Sequence, residues 1–423
     1  MKVLFLNPAG ELGGAERSLL DVMASLRAMA PDAKIALLAG SPGPMLDAAE
    51  RLGVSVHLLP LPDRLAELGD SNLATASPFA RLRFAARGSD LVAYAARFAK
   101  LVRSLSPDVM HSNGLKMHLV SAAFRPRSIP LVWHIRDFLG ARPVSARLVR
   151  VASRRAHLAI ANSHAVGEDV RALAPGLEVR VMHNAIDTDI FSPEGPIAPL
   201  DALSIDGRPP SRVAPLGQRV LRIGLIGAYA RWKGHDVFLD AAAKLSERTD
   251  LPPLRFYVVG SPIYATGSSG QYSVEELREM AVARGLTNVV FVPFQRDPAD
   301  TYRALDIVVH ASTRPEPFGR IIVEAMASGR PAVVSQAGGA VELFDEGIDA
   351  LGVPPGNASR MADAIGRLAV DESLRRAIGS AARRTATIRF SRERLGAELL
   401  AIYSDLFTRL RLGDGSEKSA FEA

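Results

Sequence analysis

The chain has 423 residues, 48% hydrophobic and 23% charged, and contains no cysteine. This apolar fraction supports real cores, two or three of them at roughly 150 residues per domain, so global disorder is excluded; the missing thiol excludes a disulfide framework, a thiolate metal site and a cysteine nucleophile. The 51 basic and 45 acidic residues leave a net charge of +6, too mild to argue for nucleic acid.

The opening Met1 to Asn7 carries one charge and a short apolar run closed by Asn7-Pro8. That run is shorter than a secretory core, and no 18-residue window is both apolar and uncharged. The expected address is cytoplasmic. Val3 to Leu6 reads as a buried strand, followed by a glycine-rich turn and a helix from Glu16 to Met29 with apolar Leu19, Leu20, Val22, Met23 and Leu26. Strands follow at Lys34 to Leu38, Val54 to Leu59, Asp108 to His111, Leu131 to Ile135, Leu158 to Ala161 and Glu178 to Met182. Continuous β-branched runs between helices are the signature of a parallel sheet covered on both faces. The alternation stops near Phe191, and residues 193–219, with six prolines and three glycines among 27, read as a linker. It restarts with strands at Leu221 to Ile226, Arg255 to Val259, Val289 to Val292, Ile307 to His310 and Ala332 to Ser335, with helices between them. Residues 359–411 are helical and rich in arginine.

Doubly wound sheets bind ligands beyond the carboxyl ends of their strands, so the loops after strands are where chemistry is sought. Gly13 and Gly14 lie between a strand and a helix. Bare backbone at a helix N-terminus suits a phosphate, although a tight turn needing positive φ would use the same glycines. Neither the dinucleotide nor the P-loop glycine spacing is present. In Ala228-Tyr229-Ala230-Arg231-Trp232-Lys233-Gly234 the two cations are two positions apart. On extended backbone both point the same way, as a diphosphate clamp or as a solvated pair. In Glu316-Pro317-Phe318-Gly319-Arg320-Ile321-Ile322-Val323-Glu324, Glu316 precedes a helix that starts near Gly319. Glu324 lies inside that helix among apolar residues, where a charge is expensive unless paired or ligand-bound. Gln336 to Glu342 is another glycine turn after a strand. His134 ends a strand of the first half, where a lone histidine is as readily structural as catalytic. Asp187-Thr188-Asp189 spells an Asp-x-Asp metal motif, but its position suits a turn or cap. No histidine or cysteine cluster has zinc spacing, so no metal site is expected.

In this order the pieces resemble the retaining glycosyltransferases of family 4, which have the GT-B fold. The matching residues are Gly13-Gly14-Ala15-Glu16, the strand ending in His134, Asn162-Ser163, Asn184-Ala185-Ile186-Asp187 with Phe191, Arg231 with Lys233, Glu316 and Glu324 separated by seven residues, and Gly338-Gly339 with Glu342. The resemblance covers most of the chain and implies an α/β protein of two Rossmann-like doubly wound domains facing an interdomain cleft. Residues 1–192 would be the acceptor-side domain, 193–219 the linker and 220–387 the nucleotide-sugar domain. Residues 388–412 would be a helix crossing back to the first domain, and 413–423 a disordered tail. The implied activity is transfer of a sugar from a nucleotide-diphosphate sugar to a hydroxyl of a glycan or lipid-linked acceptor, in cell-envelope polysaccharide or glycolipid synthesis, with no metal or other cofactor. Arg231 and Lys233 would hold the diphosphate, Glu316 the donor sugar and Glu324 the ribose. The backbone of Phe318, Gly319, Arg320 and Ile321 would meet sugar and phosphate, Gly13 and Gly14 would approach the diphosphate, and His134 would lie near the reacting sugar. A non-catalytic sugar-nucleotide-binding protein, or an epimerase or phosphorylase on the same fold, is the alternative. Ala185 and Ile186 stand where the family commonly has Gly-Val.

Residues 81–155 hold 15 Lys or Arg and three acids, a local +12 against −6 for the remainder. Arg81, Arg83 and Arg87 open this stretch, beside Phe79, Leu82, Phe84, Tyr94 and Phe98. A basic amphipathic face of this kind suits an anionic membrane surface at the inner face of the cell membrane, or the acceptor; a solvated helix is the plainer alternative. No recognised nucleic-acid module is present, so no nucleic-acid partner is expected.

Overall fold

The computed structural model describes residues 1–62, 88–140, 143–207, 219–262 and 270–420. Arg81, Arg83 and Arg87 lie outside them. The chain divides into two compact units, Met1–Ala185 with Arg392–Ala423, and Ile186–Ser391. The first contains, in order, β1 (Lys2–Asn7), α1 (Gly14–Met29), β2 (Lys34–Ala39), α2 (Pro44–Arg51), β3 (Ser55–Leu58), α3 (Gly88–Leu105), β4 (Val109–Asn113), α4 (Leu115–Phe124), β5 (Leu131–Ile135), α5 (Pro143–Ala152), β6 (Leu158–Ala161), α6 (His164–Leu173) and β7 (Val179–Val181). The second contains β8 (Leu221–Ile226), α7 (His235–Ser246), β9 (Leu254–Gly260), α8 (Val274–Ala283), β10 (Val289–Pro293), α9 (Ala299–Ala304), β11 (Ile307–His310), α10 (Arg320–Ala327), β12 (Ala332–Ser335), β13 (Leu351–Val353), α11 (Ala358–Val370) and α12 (Glu372–Arg389). A terminal helix, α13 (Glu393–Ala420), belongs to the first unit.

Each unit is built on one parallel sheet. The strand order is β3-β2-β1-β4-β5-β6-β7 in the first and β10-β9-β8-β11-β12-β13 in the second. In each, the winding direction reverses beside the first strand, between β1 and β4 and between β8 and β11, which is where doubly wound sheets open a crevice beyond the strand ends. The alternation along β1 explains the covering. Leu4 and Leu6 face one core with Phe98, Met110 and Trp133. Val3 and Phe5 face the other, with Leu19, Val22 and Leu26 of α1 and Leu395, Leu399 and Tyr403 of α13. A strand buried on both faces has no polar side to spare, hence the unbroken apolar runs.

Three features depart from the sequence reading. The boundary falls at Ala185, not after residue 192, and residues 193–207 are no free linker. Ala198 and Leu200 are buried in the core of the second unit. The Arg303 guanidinium collects the carbonyls of Pro196 (2.6 Å), Ile190 (3.1 Å) and Ser192 (3.2 Å). An irregular segment whose carbonyls find such donors can be packed despite its prolines. The backbone of α13 continues to Ala420, past Gly413 where a tail was expected. Extending an existing helix through a glycine costs only about 1 kcal/mol, far less than nucleating one. In α3, Tyr94, Phe98 and Val102 are buried in the core while Arg97, Lys100 and Arg103 are exposed, so within the described residues the aromatic stripe is core and the basic residues form the outer face. Among the described residues no helix is long and apolar enough to cross a membrane.

Candidate functional site

In the second unit the chemistry gathers at the carboxyl ends of β8 and β11. Residues Arg231–Lys233 form a single 3₁₀ turn, closed by Gly234 at φ +72°. Gly234 is required there: a Cβ would collide with the Ala311 carbonyl just after β11. Thr313 N–H donates to the Trp232 carbonyl (2.8 Å) and ties the two loops together. The turn corrects the extended-backbone argument for a paired clamp. With three residues per turn, positions two apart diverge. Lys233 Nζ reaches both oxygens of Glu316 (3.0 and 2.8 Å) and lies 4.1 Å from the Trp232 ring centre. The Arg231 guanidinium stacks on Tyr272, 4.2 Å from its ring centre, and donates to Glu276 (3.0 Å).

Glu316 is held from several sides. Besides Lys233, its Oε2 accepts from Ser312 Oγ (2.8 Å) and His310 Nε2 (3.2 Å). A carboxylate can only accept here, so His310 carries its proton on Nε2. Burial would push the Glu316 carboxyl up. The Lys233 charge and the hydrogen bonds from His310 and Lys233 outweigh it and hold the group well below the usual carboxylate range. The glycine turn after β12 fixes its backbone: Glu316 N–H donates to the Ala337 carbonyl (3.1 Å), and Gly339 N–H to the Glu316 carbonyl (2.7 Å).

The next loop launches α10. Gly319 is the N-cap at φ +100°, a conformation that admits glycine and few others. Phe318 packs into the core against Phe390. Glu324 is 5% exposed and already paired, accepting from Arg320 Nε (2.7 Å) and Tyr302 OH (2.8 Å). The pairing that its burial demanded is thus met within the protein, with lone pairs left on both oxygens.

In the first unit, Gly13 is the N-cap of α1 at φ −91°, and Gly13 and Gly14 are both exposed. Neither needs positive φ, and a Cβ on Gly14 would meet nothing within 4 Å. The glycines therefore stand at the helix start without a turn requiring them, and the Gly13 N–H donates to the Glu16 carboxylate (3.2 Å). His134 lies in β5, as the strand reading placed it, and is 1% exposed. Its Nδ1 lies 3.0 Å from His111 Nε2 and 3.2 Å from Arg136 Nη2. Around it the strand ends carry a polar layer: Arg136 Nε donates to Asn113 Oδ1 (2.8 Å), and Asn113 Nδ2 to Asn7 Oδ1 (2.7 Å). Asp187, the aspartate of the apparent metal motif, accepts from the backbone N–H groups of Asp189 (3.0 Å) and Ile190 (3.1 Å) and so closes a turn.

Two family models match in tandem: Glycosyltransferase Family 4 over residues 12–190 and Glycosyl transferases group 1 over residues 215–385. The chain belongs to the family 4 glycosyltransferases. Among solved structures, this glycosyltransferase superposes on the Anabaena protein HepE in complex with UDP-glucose, with a TM-score of 0.72, 26% identity and coverage of 96% of this chain and 100% of that one. Sucrose-phosphate synthase of Thermosynechococcus elongatus shares the fold at 18% identity and a TM-score of 0.70, over 97% of this chain and 100% of that one. The fold is GT-B, two Rossmann-like parallel-sheet domains. Of the curated relatives, the D-inositol 3-phosphate glycosyltransferase of Corynebacterium urealyticum is 33% identical over 212 residues, which is 49% of this chain and 48% of the relative. The chain thus spans about half the length of the curated relatives it matches.

The sequence reading missed His310, Ser312, His111, Arg136 and Tyr403 of this glycosyltransferase. His310 was findable, because it ends a strand one turn before Glu316. Tyr403 was not, since it sits 292 residues from the His111 it bonds.

Proposed function

We propose that this chain transfers a sugar from a nucleoside-diphosphate sugar to a hydroxyl acceptor, with retention of configuration and without a metal ion. The observation that carries the reading is the partly buried Lys233–Glu316 pair at the switch point of the second sheet, beside the start of α10. A cation there suits a diphosphate, and a carboxylate held ionised suits sugar hydroxyls. The HepE complexes with UDP and UDP-glucose make a UDP-hexose the first donor to test.

In the reaction the acceptor oxygen forms a bond to the anomeric carbon, the bond from that carbon to phosphate oxygen breaks, and its electron pair leaves with the diphosphate. The acceptor proton passes to the departing phosphate on the same face. Lys233 and Arg231 stabilise the charge that builds on the diphosphate; one preorganised group of this kind is worth roughly 10²–10³ in rate. Glu316 orients the sugar and, by staying ionised, favours the positive charge developing on it. Glu324 and the Phe318–Ile321 backbone are assigned to the ribose and phosphates, and Gly13 and Gly14 to the phosphates. Lys233 donates to both oxygens of Glu316, so a diphosphate held by it would share its hydrogen bonds with the carboxylate.

The test incubates the protein with a panel of nucleotide sugars and hydroxyl acceptors, inositol phosphate among them, and reads the anomeric configuration of the product by NMR with and without chelator. A new glycoside of the donor's configuration, made equally with chelator, is expected. An inverted product, or loss of transfer on chelation, would remove the retaining or the metal-independent part of the reading.

A further inference from the structure

His134 is wholly enclosed, yet its Nε2 has no hydrogen-bond partner within the protein. A buried ring nitrogen left without a partner is costly. The surroundings decide what that nitrogen is. Arg136 Nη2 can only donate, and it points at His134 Nδ1 (3.2 Å). His134 Nδ1 is therefore a bare acceptor. His111 Nε2 also faces that atom, at 3.0 Å, so it must carry its own proton there. His111 is neutral, because burial first and the Arg136 charge second push its protonation well below the usual range. Its Nδ1 is then an acceptor, and the Tyr403 hydroxyl donates to it at 2.7 Å. Burial holds the Tyr403 hydroxyl protonated. Every proton in the chain from Tyr403 through His111 to His134 thus has a fixed place. His134, kept neutral by the same burial and the same arginine, has its single proton left on Nε2.

We propose that Tyr403, His111 and Arg136 are positioning residues that lock His134 as its Nε2–H tautomer, so that His134 presents a hydrogen-bond donor, and not a base, to an oxygen of the substrate. The proposal rests on the glycosyltransferase reading for its ligand, a hydroxyl or ring oxygen of a sugar, but not for the tautomer. Tyr403 comes from α13, whose seat is prepared by Gly396: its N–H donates to Ser25 Oγ (2.7 Å), and a Cβ there would press on the Ser25 carbonyl. The terminal helix is in this way part of the machinery of the first unit, delivering the hydroxyl that starts the relay.

The experiment has an arm that needs no substrate. In the full-length protein labelled with ¹⁵N at histidine, long-range ¹H–¹⁵N correlation should show His134 protonated on Nε2 and bare on Nδ1, unchanged from pH 8 to pH 6. A proton on Nδ1, or a charged ring in that range, overturns the proposal. In the substrate-dependent arm, His134→Gln, which keeps an N–H near the Nε2 position, should retain transfer within about tenfold, whereas His134→Leu should lose about 10²–10³. Tyr403→Phe should leave the melting temperature nearly unchanged, disturb the His111 and His134 correlations, and lower kcat several-fold. A glutamine variant as inactive as leucine, together with a pH–rate limb that disappears in His134→Gln, would make His134 a base and overturn the donor role. If the parent protein transfers no sugar at all while the NMR shows the Nε2–H tautomer, the glycosyltransferase reading fails and the lock stands.

Discussion

The two units place polar layers at the same point of the same topology, and they build them from opposite electrostatics. In the second unit Lys233, partly exposed, pairs with the buried Glu316, which also accepts from His310 and Ser312. In the first unit the layer is a neutral imidazole relay, ordered by the guanidinium of Arg136 and by the amides of Asn113 and Asn7. A buried ion pair answers a ligand whose charge changes during the reaction, since preorganised charge acts most strongly where charge develops. A neutral relay fixes a donor in space without adding charge. Sharing a fold therefore does not mean sharing a kind of site.

The charged layer has the larger expected sensitivity. Lys233→Ala should lower transfer by about 10²–10³ and, by stranding a buried carboxylate, destabilise the protein by about 3–5 kcal/mol. Adding Glu316→Gln should restore much of that stability and none of the rate. Denaturant melts and kinetics on both variants check this; a double variant as unstable as the single one would break the account of the pair.

Acid separates the units next. His111 and His134 protonate far below their usual value of 6.5 because of burial and then Arg136, and His118, from the same causes, near 3. Below 6.5 the unfolded chain takes up protons that the native unit refuses. Stability therefore falls as pH falls, by about 1.4 kcal/mol per pH unit for each such imidazole. In the second unit His235 is depressed in this way, to about 3. The lowered Glu316 carboxyl contributes stability that is present above its usual 4.5 and is lost as pH drops beneath it. Between pH 6.5 and 4.5 the first unit should loosen first. Each unit holds one of the two tryptophans, Trp133 and Trp232, so fluorescence of Trp232→Phe and Trp133→Phe variants reads them separately. Simultaneous transitions would break the distinction.

The smallest stability effect belongs to Arg231. Its bridge to Glu276 is about half exposed on both sides (45% and 46%), so Arg231→Ala should change stability by less than about 1 kcal/mol while transfer still falls by about 10²–10³. A large loss of stability would make Arg231 a structural residue and sharpen the contrast with Lys233.

What could be read from the residue string was whatever is local and periodic. Unbroken β-branched runs announced two parallel sheets, because a strand covered on both faces must be apolar throughout. The residue types after strand ends singled out Arg231, Lys233 and Glu316 as candidates, because loops after strands are where a doubly wound sheet meets ligand, and Glu324 stood out as a charge among apolar residues of a helix. Even there, spacing alone misjudged the geometry: Arg231 and Lys233 diverge because Gly234 closes a 3₁₀ turn. The packing of residues 193–207 was hidden because it depends on Arg303, about a hundred positions away. The relay through Tyr403, His111 and His134 was hidden for the same reason in stronger form. Its members are apolar-looking positions of two strands and a terminal helix, and no pattern within one segment reports which hydroxyl meets which ring. Tertiary structure decided it by bringing α13 onto the face of β4, where burial removes water as a competing partner and leaves each proton a single place to go.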